Sequence, residues 1–433
     1  MLARLHSFWF SVKASYWFYP ALFAALGFGL ALLLVSFDRR GSTDWLIGIS
    51  WFYPAHPQGA SNILTVLAGS MIGVASTVFS ITIAAVAYAS GNYGPRLLTN
   101  FMKDKGNQLS LATFIGTFVY AITVLRAVRA KDETLAASQA FVPQLALLAS
   151  FGLMIVAVGV LVFFLHHVPA SIRINTVLEG IGRGLLGKIA KRFPERNSAA
   201  PEERKVLEGK SIVAEATGYI RYIELQELDG VVRDANVRIA LAVRTGDFVY
   251  AGRILALSDS QTLSDEVADS VRDCFALGGS RTPEQDLEFS IDELVEIALR
   301  ALSPGINDPF TAITAIHWLG AATAELGQRE LRQEICDDDG VSGRVIPLAD
   351  DFAHFLERGF GAARVALASS KIASLVALDS IRDAAAQIND ASRIALLARE
   401  GDLLMEQAEV SLKGPDLQEV RARHAAVRKD FEL

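Results

Sequence analysis

Leu145-Ala-Leu-Leu-Ala-Ser-Phe-Gly-Leu-Met-Ile-Val-Ala-Val-Gly-Val-Leu-Val-Phe-Phe-Leu165 carries no charged residue and lies inside a charge-free window from 134 to 172. A bilayer core needs about 20 apolar residues per helix. An ionised group at its centre is expensive, so charges are kept out of spanning segments. The stretch therefore reads as a membrane helix. Three more charge-free windows, 14–37, 45–95 and 106–125, precede it. They place spans at Trp17–Ser36, Ile63–Ala89 and Leu109–Leu125, with Leu145–Leu165 as the fourth. The first reads as a retained span, because its apolar run is too long for a signal peptide and no small-residue cleavage site follows. Phe8, Trp9, Phe10, Trp17, Phe18 and Tyr19, then Trp45, Trp51, Phe52 and Tyr53, cluster where headgroup-level anchors belong.

Working outward from the spans, orientation follows from the basic residues. With four spans, one side holds Arg4, Lys13, Arg96, Lys103 and Lys105, joined after span four by Arg173, Arg183, Lys188, Lys191, Arg192 and Arg196. The other side holds Arg39, Arg40, Arg126, Arg129 and Lys131. The positive-inside rule then puts both termini on the cytosolic side. Residues 1–168 carry 10 Lys and Arg against 5 Asp and Glu, so most of the 48 acidic residues fall behind the spans. An acidic second half argues against a general nucleic-acid binder. Half of the 433 residues are hydrophobic, and the mean hydropathy of +0.31 excludes a disordered chain. Cys274 and Cys336 have neither metal nor redox-pair spacing.

Residues 169–207 read as a basic connector, and Gly182-Arg-Gly184-Leu-Leu-Gly187 within it fits a G-x-G-x-x-G search. A dinucleotide fingerprint needs a preceding strand. Here the sequence is amphipathic and follows a membrane helix, so the simpler expectation is a juxtamembrane helix facing anionic lipid. From 208 to 260 the pattern turns β-like, in the runs Ser211–Ala214, Gly218–Glu224, Val237–Val243 and Phe248–Leu257. The run Gly246–Leu255 resembles half of a biotinyl/lipoyl-like barrel-sandwich domain. Carrier chemistry requires a lysine, and none occurs from Ser211 to Ser370. The expectation is a small structural or docking module with no cofactor.

Residues 261–433 read as mainly helical. Ser290-Ile-Asp-Glu293 has capping-box form before a helix Ile291–Leu302. Pro304-Gly305 stops that helix, and Asp308 with Pro309 is set to start another that runs to about Leu326. Three or four amphipathic helices should follow from 349, punctuated by Gly401 and Pro415. Arg281-Thr-Pro-Glu-Gln-Asp286 and Ile297-Ala-Leu-Arg300-Ala-Leu-Ser-Pro-Gly-Ile-Asn307-Asp308-Pro309-Phe310-Thr311-Ala312 resemble the hallmark of a bacterial family of predicted membrane proteins of unknown function. Phe79-Ser80, Pro95-Arg96-Leu97-Leu98, Phe114–Tyr120 and Phe163-Phe-Leu-His-His167 extend the resemblance through the front half. It implies an inner-membrane protein with four spans and a cytosolic C-terminal region, and it transfers no activity.

The expected fold class is thus an α-helical integral membrane domain over 1–168, followed by a cytosolic α+β region. Candidate ligand-binding residues are Arg281, Asp286, Arg300, Asn307 and Asp308, read as a polar pocket at a helix N-terminus where free amides can hold an anion. The alternative is an ion-pair and cap network that only fixes the turn. Ser70, Gly73, Thr77 and Ser80 make a small, weakly polar stripe on span two, suited either to close helix packing or to lining a pore. Arg96, His166 and His167 fall at the cytosolic mouth, either as snorkelling groups or as a pH-responsive gate. No nucleophile–base pair and no H-E-x-x-H metal spacing occurs, so no enzyme is expected. Two functions remain open: a homo-oligomeric channel-like conduit for an ion or small molecule, or a membrane-anchored sensor or scaffold.

Overall fold

In the computed structural model, which describes residues 15–40, 55–94, 104–129, 140–195, 209–331, 336–337, 340–341 and 343–431, the four charge-free windows are helices. They are α1 (Phe18–Arg39), α2 (Pro57–Tyr93), α3 (Lys105–Leu125) and α4 (Gln144–Ser171), each long and apolar enough to cross a membrane. All four outrun the apolar stretches that predicted them. Inside a bilayer every backbone group must be bonded within its own segment, and the helix is how it does so. Of the expected aromatic anchors, Trp17, Phe18 and Tyr19 stack edge to face at the start of α1. Those at 8–10 and 45–53 lie outside the described residues.

Polar clips join the helix ends. The Asp38 carboxylate at the end of α1 accepts the Leu145 and Ala146 amides at 3.1 and 3.0 Å, capping the first turn of α4. Beside it, the Gln144 side chain exchanges hydrogen bonds with the backbone of Ala55, ahead of α2. Asp104 caps α3 through the Gly106 amide at 2.7 Å, and its other oxygen lies 2.8 Å from His167 Nε2 at the far end of α4. Between the clips, α1 and α3 cross almost backbone to backbone. A Cβ on Gly27 would stand 2.4 Å from the Gly116 carbonyl oxygen, so only glycine fits there.

The chain from Ile174 belongs to a second compact unit, which also takes in Asn92–Gly94. Helix α5 (Ile174–Arg192) contains the Gly182–Gly187 stretch, so those glycines are helical and cradle no phosphate. Leu178, Ile181, Leu185 and Ile189 on its apolar stripe are buried. Gly182 lies against the Trp318 indole, which a Cβ would meet at 2.1 Å.

Strands β1 (Ser211–Val213) and β2 (Gly218–Ile223) are followed by α6 (Leu225–Asp234), then β3 (Ile239–Leu241), β4 (Phe248–Val249) and β5 (Ile254–Ser258). Next come α7 (Asp265–Asp273), β6 (Phe275–Gly278), α8 (Leu287–Ala301), α9 (Pro309–Gln328), β7 (Cys336–Asp337), β8 (Gly340–Val341) and β9 (Val345–Ile346). Strands β1 to β4 fall inside the four β-like runs and β5 overruns the last by one residue, but the sheets reach beyond residue 260. One sheet runs β1-β5-β3-β9, a second β4-β2-β6 and a third pairs β7 with β8, with β3–β9 as a parallel pair. Without β9 and β6, the outer edges of β3 and β2 would be left with unpaired backbone groups.

The last segment is α10 (Phe352–Leu356), a π turn (Glu357–Gly361), α11 (Ala362–Ala368), α12 (Lys371–Ala385), α13 (Ala391–Ser411) and α14 (Gly414–Phe431). Gly401 does not break a helix. It sits buried in the middle of α13, 3.8 Å (from an added Cβ) from Leu378.

Candidate functional site

Helix α8 starts at Leu287, and its cap is Asp286, whose carboxylate accepts the Phe289 amide at 3.0 Å. Ser290 is therefore inside the helix, and the expected capping box does not form. A carboxylate earlier in the chain took the role, and it is held in place by Arg281. That guanidinium donates to both Asp286 oxygens, at 2.7 and 2.9 Å, and its third nitrogen reaches Asp292 at 2.5 Å. Asp286 is 1% exposed and Arg281 13%, so this is a buried pair. Gly246, at φ +95°, lies so close that a Cβ would meet the Asp286 carboxylate at 2.3 Å.

The pair opens into a wider network. Arg358 donates to both Asp292 oxygens at 2.7 and 2.8 Å and lies 2.7 Å from Glu288. The other Glu288 oxygen is shared by His354 at 2.9 Å and Arg244 at 3.4 Å. Arg244 also holds Asp350 at 2.8 Å, and Arg192 closes the chain on the second Asp350 oxygen at 2.9 Å. Four guanidinium groups thus face four carboxylates. Burial pushes the Asp286 and Asp350 carboxyls up, against the pull of their arginines. For Arg281, burial works the other way, but the hydrogen bonds and charges of Asp286 and Asp292 outweigh it and hold the cation firmly. Such networks fix geometry, and each member becomes costly to remove alone.

The five turn residues read together in the sequence do not share one pocket. Arg281 and Asp286 stand at the start of α8, whereas Arg300, Asn307 and Asp308 stand at its end. A helix of that length separates them by about 21 Å. At the far end, Arg300 lies 3.7 Å from Glu296 one turn back. Asn307 takes φ +50°, and Asp308 caps α9 through the Thr311 amide at 3.2 Å and hydroxyl at 2.5 Å. The anion at this helix N-terminus is the chain's own. The network partners Arg192, Arg244, Glu288, Asp292, Asp350, His354 and Arg358 carried no sequence signal, because distant segments bring them in.

On α2, Ser70, Gly73, Thr77 and Ser80 all lie on exposed positions, while Leu64, Leu67, Ala68, Met71, Ala75 and Val78 on the opposite side are buried. Thr77 and Ser80 donate to the Gly73 and Ser76 carbonyls of their own helix, at 3.1 and 2.9 Å. A Cβ on Gly73 would meet nothing within 4 Å. At the expected mouth, Arg96 lies outside the described residues, His166 is exposed, and His167 is engaged by Asp104 and stacked on Phe163 at 4.9 Å.

Residues 13–383 match the family described as "Predicted membrane protein (DUF2254)". The chain belongs to this family. DUF2254 membership confirms the resemblance read from the Arg281–Asp286 and Ile297–Ala312 motifs, which here form the start of α8, its last turn, the following loop and the start of α9. Similar proteins include the uncharacterized proteins Mb1321c of Mycobacterium bovis and Rv1290c of Mycobacterium tuberculosis, each 30% identical over 352 residues. Each alignment takes in 78% of this chain and 65% of the relative, so the chain spans just under two thirds of their length. No solved structure matches it.

Proposed function

We propose that this membrane protein works as a homo-oligomer in which the α2 stripe faces other copies and, around their symmetry axis, lines a channel-like conduit. The C-terminal unit serves as the gating or ligand-sensing part on the cytosolic side of a bacterial inner membrane. Its β1-β5-β3-β9 and β4-β2-β6 sheets, barrel-sandwich-like in their β5 half, act there as a docking element. One observation supports this reading. No other described helix of the chain covers Ser70, Gly73, Thr77 and Ser80, while Leu64, Leu67, Ala68, Met71, Ala75 and Val78 on the other side of α2 are buried.

In lipid, apolar surface alone gives helices no drive to associate, and small residues are what permit close approach. A stripe that is small, weakly polar and uncovered in one chain therefore fits a contact with a second chain. The Thr77 and Ser80 hydroxyls already have backbone partners, so the path they line needs no buried charge. Arg96, His166 and His167 would stand at its cytosolic mouth.

Purified protein in liposomes, with an ion-flux readout, tests the reading. Flux above protein-free vesicles is expected, with a reduction in Thr77→Leu variants that remain oligomeric. An intact oligomer that passes no ion or small solute would instead leave a membrane-anchored sensor or scaffold.

A further inference from the structure

Near the end of α5, Lys188 Nζ donates to Ser290 Oγ in the first turns of α8 at 3.0 Å, and Arg192 reaches the Gln285 carbonyl at 3.4 Å. Later residues of α5 thus meet earlier residues of α8, so the two helices are antiparallel. Helix α9 runs parallel to α5. Gly182 packs on Trp318, and past the two helix ends the Pro194 carbonyl accepts the Glu330 amide at 2.9 Å. Gly182 stands about 12 Å along α5 from Ile174, and Trp318 about 13 Å along α9 from Pro309. The start of α5, the end of α8 and the start of α9 therefore share one end of this unit, where the 303–308 turn joins α8 to α9.

That end is where the chain arrives from the membrane spans. Only Ile172 and Arg173 separate Ser171, the last residue of α4, from Ile174. Gly94, the residue after α2, belongs to the same unit as α8. It lies so close to Glu296, in the last two turns of α8, that a Cβ would meet that carboxylate at 2.6 Å.

The turn at this end is apolar. Phe310 is 70% exposed, the most exposed Phe, Tyr or Trp among the described residues, and Ile306 is 42% exposed. Between Ala301 and His317 the only charged side chain is Asp308, and it is turned onto the Thr311 amide and hydroxyl. Single exposed apolar residues are ordinary on a soluble surface. Here the backbone is adapted as well. Pro304 and Pro309 carry no amide hydrogen, and the Ile306 and Asn307 amides bond to the Ser303 carbonyl at 3.1 and 2.9 Å. The Asp308 amide reaches the Ala301 carbonyl at 2.7 Å. Amides bonded internally can leave water at little cost.

We propose that the 303–310 turn is a membrane anchor, with Ile306 and Phe310 entering the headgroup–acyl boundary of the phospholipid bilayer that α2 and α4 cross. The occupant is lipid because the turn continues an interface the chain already has: both connections from the spans reach this end of the unit. Such a boundary takes up apolar side chains to a depth of about 5–10 Å and demands no charged partner. The inference rests on the spans alone and not on a conduit between copies.

The test uses the full chain, with Cys274→Ser and Cys336→Ser, in phosphatidylcholine nanodiscs with and without lipid doxyl groups near the headgroup. A bimane label is carried by Phe310→Cys, by Ile306→Cys or, as the reference, by Tyr250→Cys. Tyr250 is 59% exposed but belongs to the other end of α8, since Gly246 before β4 packs on Asp286. Each variant is first matched to its parent by melting temperature. Doxyl lipid is expected to quench the Phe310 and Ile306 labels at least roughly twofold more than the Tyr250 label. With the label at Ile306, Phe310→Leu should keep that quenching. Phe310→Asp should lower it to the Tyr250 level, because a carboxylate resists entry into an apolar layer. Quenching no stronger than at Tyr250, or kept in full by Phe310→Asp, would overturn the anchor. So would labels shielded from aqueous iodide yet untouched by doxyl lipid, which would put a second copy of the chain on the turn instead of the bilayer.

Discussion

In the membrane helices, Asp38 and Asp104 sit at helix ends, where each caps a first turn and ties a neighbouring helix in. In the C-terminal unit, Arg192, Arg244, Arg281 and Arg358 meet Asp286, Glu288, Asp292 and Asp350 in a half-buried chain. The two regions solve the same problem under different solvents. A bilayer leaves no water to share the cost of a charge, so the helices keep carboxylates at their ends and hold together through glycine contacts. Beside water a network can form gradually, and removal of any one member then exposes the others.

That contrast can be broken most strongly at Asp292, which both Arg281 and Arg358 share. Asp292→Ala should cost about 3–5 kcal/mol, the usual effect of orphaning a buried charge. Thermal unfolding of the full chain in detergent should show the loss in the C-terminal transition, with the membrane helices retained by circular dichroism.

A substitution in the membrane unit acts through volume instead of charge. Gly27→Leu forces a side chain into the Gly116 backbone and should cost about 1–3 kcal/mol or more. Gly73→Ala, with nothing within 4 Å, should leave the melting temperature of dissociated monomers unchanged. Equal sensitivity at both glycines would mean that α2 is covered after all.

The smallest effect belongs to the signature turn. Asp308→Ala removes a cap worth about 1 kcal/mol, and Asp308→Ser, another good cap, should restore it. A ligand role for Asp308 would instead show as normal melting of the serine variant with loss of function.

The legible parts of the sequence were those governed by local periodicity and solvent. Four charge-free windows became four helices, and Asp308-Pro309 starts α9 where the cap-and-proline pattern placed it. The illegible parts depended on distant partners. Ser290 looked like a cap, yet Asp286 displaced it because Arg281 and Gly246 fix that carboxylate in place. Arg281 and Arg300 looked like neighbours across a turn, but α8 holds them at opposite ends. The β-like runs showed where strands lie, and the chain outside them supplied β6 and β9 to complete the sheets.

The central claim is that the α2 stripe faces a wet path between copies. Single cysteines at Ser70, Gly73, Thr77 and Ser80, in a variant with Cys274→Ser and Cys336→Ser, measure it directly against Ile155→Cys and Val162→Cys on α4. The α4 sites are 69% and 65% exposed in one chain, and lipid should cover them. Small water-soluble thiol reagents need a hydrated thiolate. The account predicts fast labelling along the stripe, slow labelling on α4, and loss of liposome flux as the stripe is modified. Stripe cysteines that label no faster than those on α4, with flux unchanged, would contradict it.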